Sequence, residues 1–161
     1  PWLLMGYNVP SLTTSPSETD AYALLVASAI LGKGDSSRLT QNLIRGEHIA
    51  SSAQADYDLL AKYPTLFVIE GIPAGKHTLS DLEQSFLNEI NQLKTKEVSD
   101  SELARVKINI EASHIYQQDE LTQLASLMGR LSIDGLSWQL EDQFVKKIDA
   151  VTAKQVQSAA Q

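Results

Sequence analysis

The feature that most limits how this chain can fold is the run Ala21-Tyr22-Ala23-Leu24-Leu25-Val26-Ala27-Ser28-Ala29-Ile30-Leu31, apolar on almost every side. A surface helix keeps one polar face, so a helix apolar all round has to be enclosed by other elements. The run is also far shorter than the roughly 20 apolar residues needed to cross a bilayer. It therefore reads as the buried centre of a globular domain. Ser17, with Asp20 three residues on, offers its N-cap. Gly32 and Gly34 end it, where residues that tolerate positive φ are favoured.

The remaining segments supply the enclosure. Trp2 to Val9 is a short apolar and aromatic stretch closed by Pro10, compatible with a strand. Asp35-Ser36-Ser37 can cap a short helix over Arg38 to Arg45, with Leu39, Leu43 and Ile44 on one face. Ile49 to Tyr57 alternates, which places Ile49, Ala53, Ala55 and Tyr57 on one side of a strand. Thr65 to Ile72 is nearly continuous in apolar residues, as a central strand would be, and Asp58 to Pro64 has the length of a hairpin loop. Pro73-Ala74-Gly75 stops that strand.

Beyond it the periodicity turns helical. Ser80-Asp81-Leu82-Glu83 and Ser99-Asp100-Ser101-Glu102 both have capping-box spacing. The first opens a helix with Leu82, Phe86, Ile90 and Leu93 on one face. The second opens a long helix through Leu103, Val106, Ile110 and His114. Leu121, Leu124, Met128 and Leu131 renew the stripe before Gly135. Trp138, Leu140, Phe144, Val145 and Ile148 mark another helix, and Thr152-Ala153-Lys154-Gln155 caps a last one. One strand, helices, two strands and then helices describe an α+β fold, a two-layer α/β sandwich with a mixed or antiparallel sheet and helices on one face. Residues 1–161 read as a single domain.

The chemistry is defined mainly by exclusions. Thirteen Lys and Arg against twenty Asp and Glu leave a net charge of −7. Without a basic cluster, nucleic acid and anionic membrane are poor partners, because their charge would go unneutralised. The absence of cysteine removes disulfides, thiol nucleophiles and Cys-type zinc sites. The three histidines, His48, His77 and His114, are far apart and lack the i, i+4 spacing of a helical metal site. Gly32-Lys33-Gly34-Asp35-Ser36-Ser37 follows a helix rather than a strand, so it is a helical corner and not a phosphate loop. No Gly-x-Ser-x-Gly elbow is present. Asp56/Asp58 and Glu141/Asp142 fall where solvated surfaces are expected. These residues contain no catalytic constellation and no metal site.

The order of motifs nevertheless carries a resemblance. Asp20-Ala21-Tyr22-Ala23-Leu24-Leu25, then Ile30-Leu31-Gly32-Lys33-Gly34-Asp35-Ser36-Ser37-Arg38-Leu39, then Leu43-Ile44-Arg45 and Ile49-Ala50-Ser51-Ser52-Ala53 follow in sequence. Leu66-Phe67 before Pro73, Val98 to Lys107, and Ile148 to Gln157 complete the set. Together they resemble the pitrilysin, or insulinase-type, zinc metallopeptidases, a group that includes insulin-degrading enzyme and mitochondrial processing peptidase. That resemblance implies halves built from two similar α+β domains. Zinc is held in the first by an inverted His-x-x-Glu-His motif and a distant Glu. The motif is missing here, so the chain looks like the second, zinc-free domain, often called inactive or C-terminal.

The resemblance implies that the chain is cut from a longer one, as relatives usually continue past the Val156-Gln157 helix. It further implies no cofactor in this domain and zinc in the neighbouring one. Its partners would be the zinc-bearing domain of the same chain, a second peptidase half or partner subunit, and peptide substrates. In related enzymes the partner half carries an Arg, with a Tyr seven residues on, that bind substrate. Arg45 matches the Arg, while the Tyr position falls on Ser51 or Ser52. The stretch Ile49-Ala50-Ser51-Ser52 is more similar to the domain following the zinc-bearing one in bacterial members, which are often periplasmic. Two functional readings follow from the resemblance: a wall of the peptide chamber in a zinc peptidase, or part of a zinc-free structural or partner subunit. Arg38 and Arg45 can also be read as ordinary surface cations.

Overall fold

A computed structural model describes residues 1–118 and 120–161. Three antiparallel strands, β1 (Leu3–Val9), β2 (Ala50–Tyr57) and β3 (Thr65–Pro73), form a sheet in the order β1-β3-β2. The nearly continuous apolar strand is the central one, as expected. Phe67, Ile69 and Gly71 of β3 face the helices and are buried, whereas Leu66 and Ile72 point the other way and are exposed. The sheet thus has one covered face and one open face, and the fold class is α+β.

Helix α1 (Glu18–Gly32) lies on the covered face, and ten of its residues are buried. Its two ends differ from the sequence expectation. Ser17 occupies the N-cap position, but its side chain makes no capping hydrogen bond. Gly34 has φ +84°, as a helix terminator should, whereas Gly32 is required for a different reason. A Cβ built on Gly32 would sit 1.9 Å from the Ala55 backbone nitrogen. The end of α1 crosses β2 backbone to backbone, and no side chain fits between them.

The short helix after this corner is a π-helix (Leu39–Gly46) rather than an α-helix, with Leu39 and Leu43 buried. The wide turn is visible where the Glu47 N–H donates to the Asn42 carbonyl at 2.7 Å. The chain then passes through His48 in the left-handed region, at φ +56°. On β2 the buried set is Ala50, Ala53, Ala55 and Tyr57. Ile49 precedes the strand, half-buried against the same core, and a bulge between Ala50 and Ser52 brings Ala50 to the covered face as well.

Helix α2 (Leu79–Thr95) lies beside α1 on the sheet, against β1 and β3, while α3 (Asp100–Gln118) and α5 (Gln139–Ala150) pack on α1, α4 (Leu121–Ile133) on α3, and α6 (Ala153–Ala159) on α1 and α2. Thr78, not Ser80, caps α2: its Oγ1 accepts from the Asp81 N–H at 3.2 Å, and the Asp81 carboxylate accepts from the Thr78 N–H at 2.7 Å. Thr-x-x-Asp satisfies the same reciprocal geometry two residues earlier. The Thr152 and Gln155 box on α6 forms as the spacing predicts. On α4 the apolar stripe departs from expectation, since Leu121 is 83% exposed while Leu131 is buried. Trp138 stands at the α5 N-cap, exposed.

Two glycine substitutions separate close approach from helix propensity. Gly32→Ala should destabilise the chain by at least about 2 kcal/mol through overpacking. Gly129→Ala in α4, where nothing lies within 4 Å of the added Cβ, should stabilise it by up to about 1 kcal/mol. Urea denaturation of both variants measures the difference.

Candidate functional site

Arg45 lies in the last turn of the π-helix, about half exposed, with Nη2 3.3 Å from the Asp35 carboxylate. Asp35 is itself 92% exposed, so this pair is solvated and contributes little to stability. The Arg45 guanidinium is thus available to a ligand. Of the two serines at the matching Tyr position, Ser51 donates to the Ile72 carbonyl at 3.2 Å, and Ser52 sits on the open sheet face opposite Ile72. Neither supplies an aromatic ring.

Arg38, seven residues earlier, is not a surface cation. Its Nε and Nη2 donate to the two Glu102 oxygens at 2.9 and 2.8 Å, with both side chains less than one-fifth exposed. The Glu102 hydrogen bond holds the guanidinium above its ordinary pKa, against the opposing effect of burial. Glu102 therefore clamps the π-helix to α3, while its backbone N–H bonds the Ser99 hydroxyl at 3.3 Å. Arg105 of α3 donates to the Ser36 carbonyl at 2.9 Å. Beneath the π-helix, Asn42 donates to Glu89 Oε1 at 2.7 Å. Glu89 is 5% exposed, and its second oxygen has no hydrogen-bond partner among the described residues. The Arg38 charge faces it. Nothing local in the sequence marks Glu89 or the Arg38–Glu102 pair, which join segments 64 residues apart.

A second polar cluster involves one of the three histidines. His114 Nε2 lies 3.3 Å from Glu141 Oε2, and both side chains are only 10% exposed. The imidazole stacks on Phe144 with centroids 4.1 Å apart, and Phe144 meets Tyr22 edge-on at 6.1 Å. Burial first, then the Glu18 and Glu141 charges, push the Tyr22 hydroxyl up to about 12. His77 is paired loosely with Asp81 at 3.9 Å, and His48 stands at the left-handed turn before β2. Among the described residues, no group of three or more His, Asp or Glu side chains is arranged to hold a metal ion.

Residues 1–110 match the family model of the peptidase M16 inactive domain. The chain belongs to that family. An M16 inactive domain is zinc-free, and the metal resides in another domain of the parent protein. The zinc protease PqqE of Helicobacter pylori is 30% identical over 127 residues, which are 78% of this chain and 27% of that protein. A solved Helicobacter pylori protease superposes at TM-score 0.88 with 23% identity, over 99% of this chain and 37% of that one. The inactive peptidase domain of a protein assigned as a zinc protease from Bordetella parapertussis superposes at TM-score 0.83 with 18% identity, covering 99% and 83% of the two chains. This M16 domain thus spans about a quarter of the length of its curated relative, and the likenesses under 25% identity show the fold.

The two clusters respond differently to change. Arg38→Ala should cost about 2 kcal/mol, because it leaves Glu102 and Glu89 without their cation in a partly dry site, whereas Arg45→Ala should change stability by less than about 0.5 kcal/mol. Chemical denaturation distinguishes them. Burial lowers the His114 pKa below its ordinary 6.5, with the Glu141 charge opposing. On acidification the unfolded chain takes up this proton first, so the contribution of the neutral ring is present above about 6.5 and is lost as pH falls through the lower folded value. Between pH 7 and 5 the melting temperature of the wild type should therefore fall more than that of His114→Gln. An equal fall in both would remove His114 as the cause.

Proposed function

We propose that this chain is the non-catalytic domain of a zinc-dependent metalloendopeptidase, packing against the zinc-bearing domain and forming part of the wall of a peptide-substrate chamber. The observation that supports this most is the match of residues 1–110 to the inactive-domain family. In this reading the net charge of −7 makes the wall attractive to basic and neutral peptides. Arg45, held at the end of a helix that Arg38 and Glu102 anchor, offers a charged donor to a peptide carbonyl or carboxylate. A periplasmic location belongs to the same reading. No helix among the described residues is long and apolar enough to cross a membrane.

The parent protein, purified with and without Arg45→Ala, tests the proposal. The variant should raise KM for a fluorogenic peptide about tenfold with little change in kcat, as loss of one charged hydrogen bond implies. The 161-residue chain alone should bind no stoichiometric zinc and cleave nothing. Peptide hydrolysis by that chain alone would overturn the reading. A parent without His-x-x-Glu-His would make this a domain of a partner subunit instead.

A further inference from the structure

Glu89 is an ion in a position that packing alone does not call for. It lies on the buried face of α2 with Leu82, Phe86 and Leu93, and those three already seat the helix. An apolar side chain of similar volume is usually no less stable than an ion in such a place. One Glu89 oxygen accepts from the Asn42 amide at 2.7 Å, and the other meets no donor among the described residues. The Arg38 charge faces Glu89, but its Nε and Nη2 are engaged by Glu102. The hydrogen bond that the carboxylate does make is therefore the one to Asn42.

Asn42 is the residue at which the π-helix closes its wide turn. Its carbonyl accepts from the Glu47 N–H at 2.7 Å, and the next carbonyl, of Leu43, accepts from the Ile49 N–H at 2.9 Å. An α-turn would instead give the Asn42 carbonyl to Gly46, one residue earlier. Wide turns are rare, and they occur frequently at functional sites. Asn42 is an exposed residue whose amide water could satisfy, yet it is held from beneath. Arg45 lies between the two ends of the Asn42–Glu47 bond, so the direction of its side chain follows from which turn closes.

We infer that Glu89 is a positioning residue: through Asn42 it holds the wide turn of the π-helix and so aims Arg45. What Arg45 is aimed at rests on the peptide-chamber reading, whereas the hold of Glu89 on the turn does not. A carboxylate suits this task because it presents only acceptors, which fixes the Asn42 amide with its NH2 group inward.

Hydrogen exchange and peptide-hydrolysis kinetics of the parent protein test the inference. Glu89→Met should raise KM about fivefold with kcat unchanged, as loss of one positioning hydrogen bond implies. Glu89→Gln keeps an acceptor for Asn42 and should stay within about twofold of the wild type. In the Arg45→Ala background Glu89→Met should move KM no further, because two residues acting through one contact are not additive. Amide exchange at residues 46–49 should be faster in Glu89→Met. A rise in KM of the same size in the Arg45→Ala background would overturn the inference, as would a KM that Arg45→Ala moves and Glu89→Met does not. If Arg45→Ala leaves KM unchanged, the role of Arg45 in the chamber fails instead, and exchange alone decides on Glu89. Faster exchange at residues 46–49 then supports its hold on the turn, and unchanged exchange overturns it. Should Glu89→Met not fold, Asn42→Ala removes the same hydrogen bond at an exposed residue and carries the same expectations.

Discussion

The contact on which the rest of the structure depends is the crossing of α1 over β2 at Gly32 and Ala55. Here two backbones meet with no room for a Cβ. That approach brings the apolar helix down onto the sheet and lets Ala29, Ala53 and Ala55 remain small and buried. The same tightness recurs on β3, where a Cβ on Gly71 would lie 2.6 Å from the Ser52 carbonyl oxygen and 2.9 Å from the Phe86 ring. The two helices of the covered face are thus each seated on a glycine. The core gains dispersion contacts at these points at the cost of positions that tolerate no substitution.

Polar groups in the interior join elements that are distant in sequence. Arg38 with Glu102 fastens the π-helix to α3, and Asn42 with Glu89 fastens it to α2. His114 with Glu141 joins α3 to α5, beside the Phe144 and Tyr22 rings. Each pair removes charge or amide groups from water and therefore contributes more to a defined arrangement than to net stability. The π-helix is the element these contacts hold most firmly. It carries Arg45 at its end, half exposed beside the Asp35 carboxylate.

How much of this was legible in the sequence depends on the distance over which each feature is determined. Strand and helix order, the buried α1 and the Thr152 cap follow from local pattern and emerged as expected. The α2 cap was misplaced because Thr78-x-x-Asp81 and Ser80-x-x-Glu83 have the same spacing, and only the chain path chooses between them. That Ala50 joins the covered face depends on a bulge, and a bulge is fixed by the partner strand rather than by its own residues. An eight-residue segment is too short for its period to separate a π-helix from an α-helix. Glu89 gave no signal, Arg38 reads locally as a surface cation and Glu102 as a capping-box carboxylate, since a pair 64 residues apart leaves no periodic trace. The family resemblance reached further than periodicity could, because it draws on the order of motifs along the whole chain.

The uncharged β1 edge bears on how the protein behaves in concentrated solution. Colloidal repulsion between copies comes from the net charge, which vanishes near the isoelectric point of about 4.9. Above that pH, acidic side chains elsewhere on the surface keep one exposed strand from meeting another. Close to it that repulsion is lost, and the solubility minimum of the 161-residue chain falls there. The acidity of the 161-residue chain then supplies the repulsion that residues 3–9, which carry no charge, do not supply themselves.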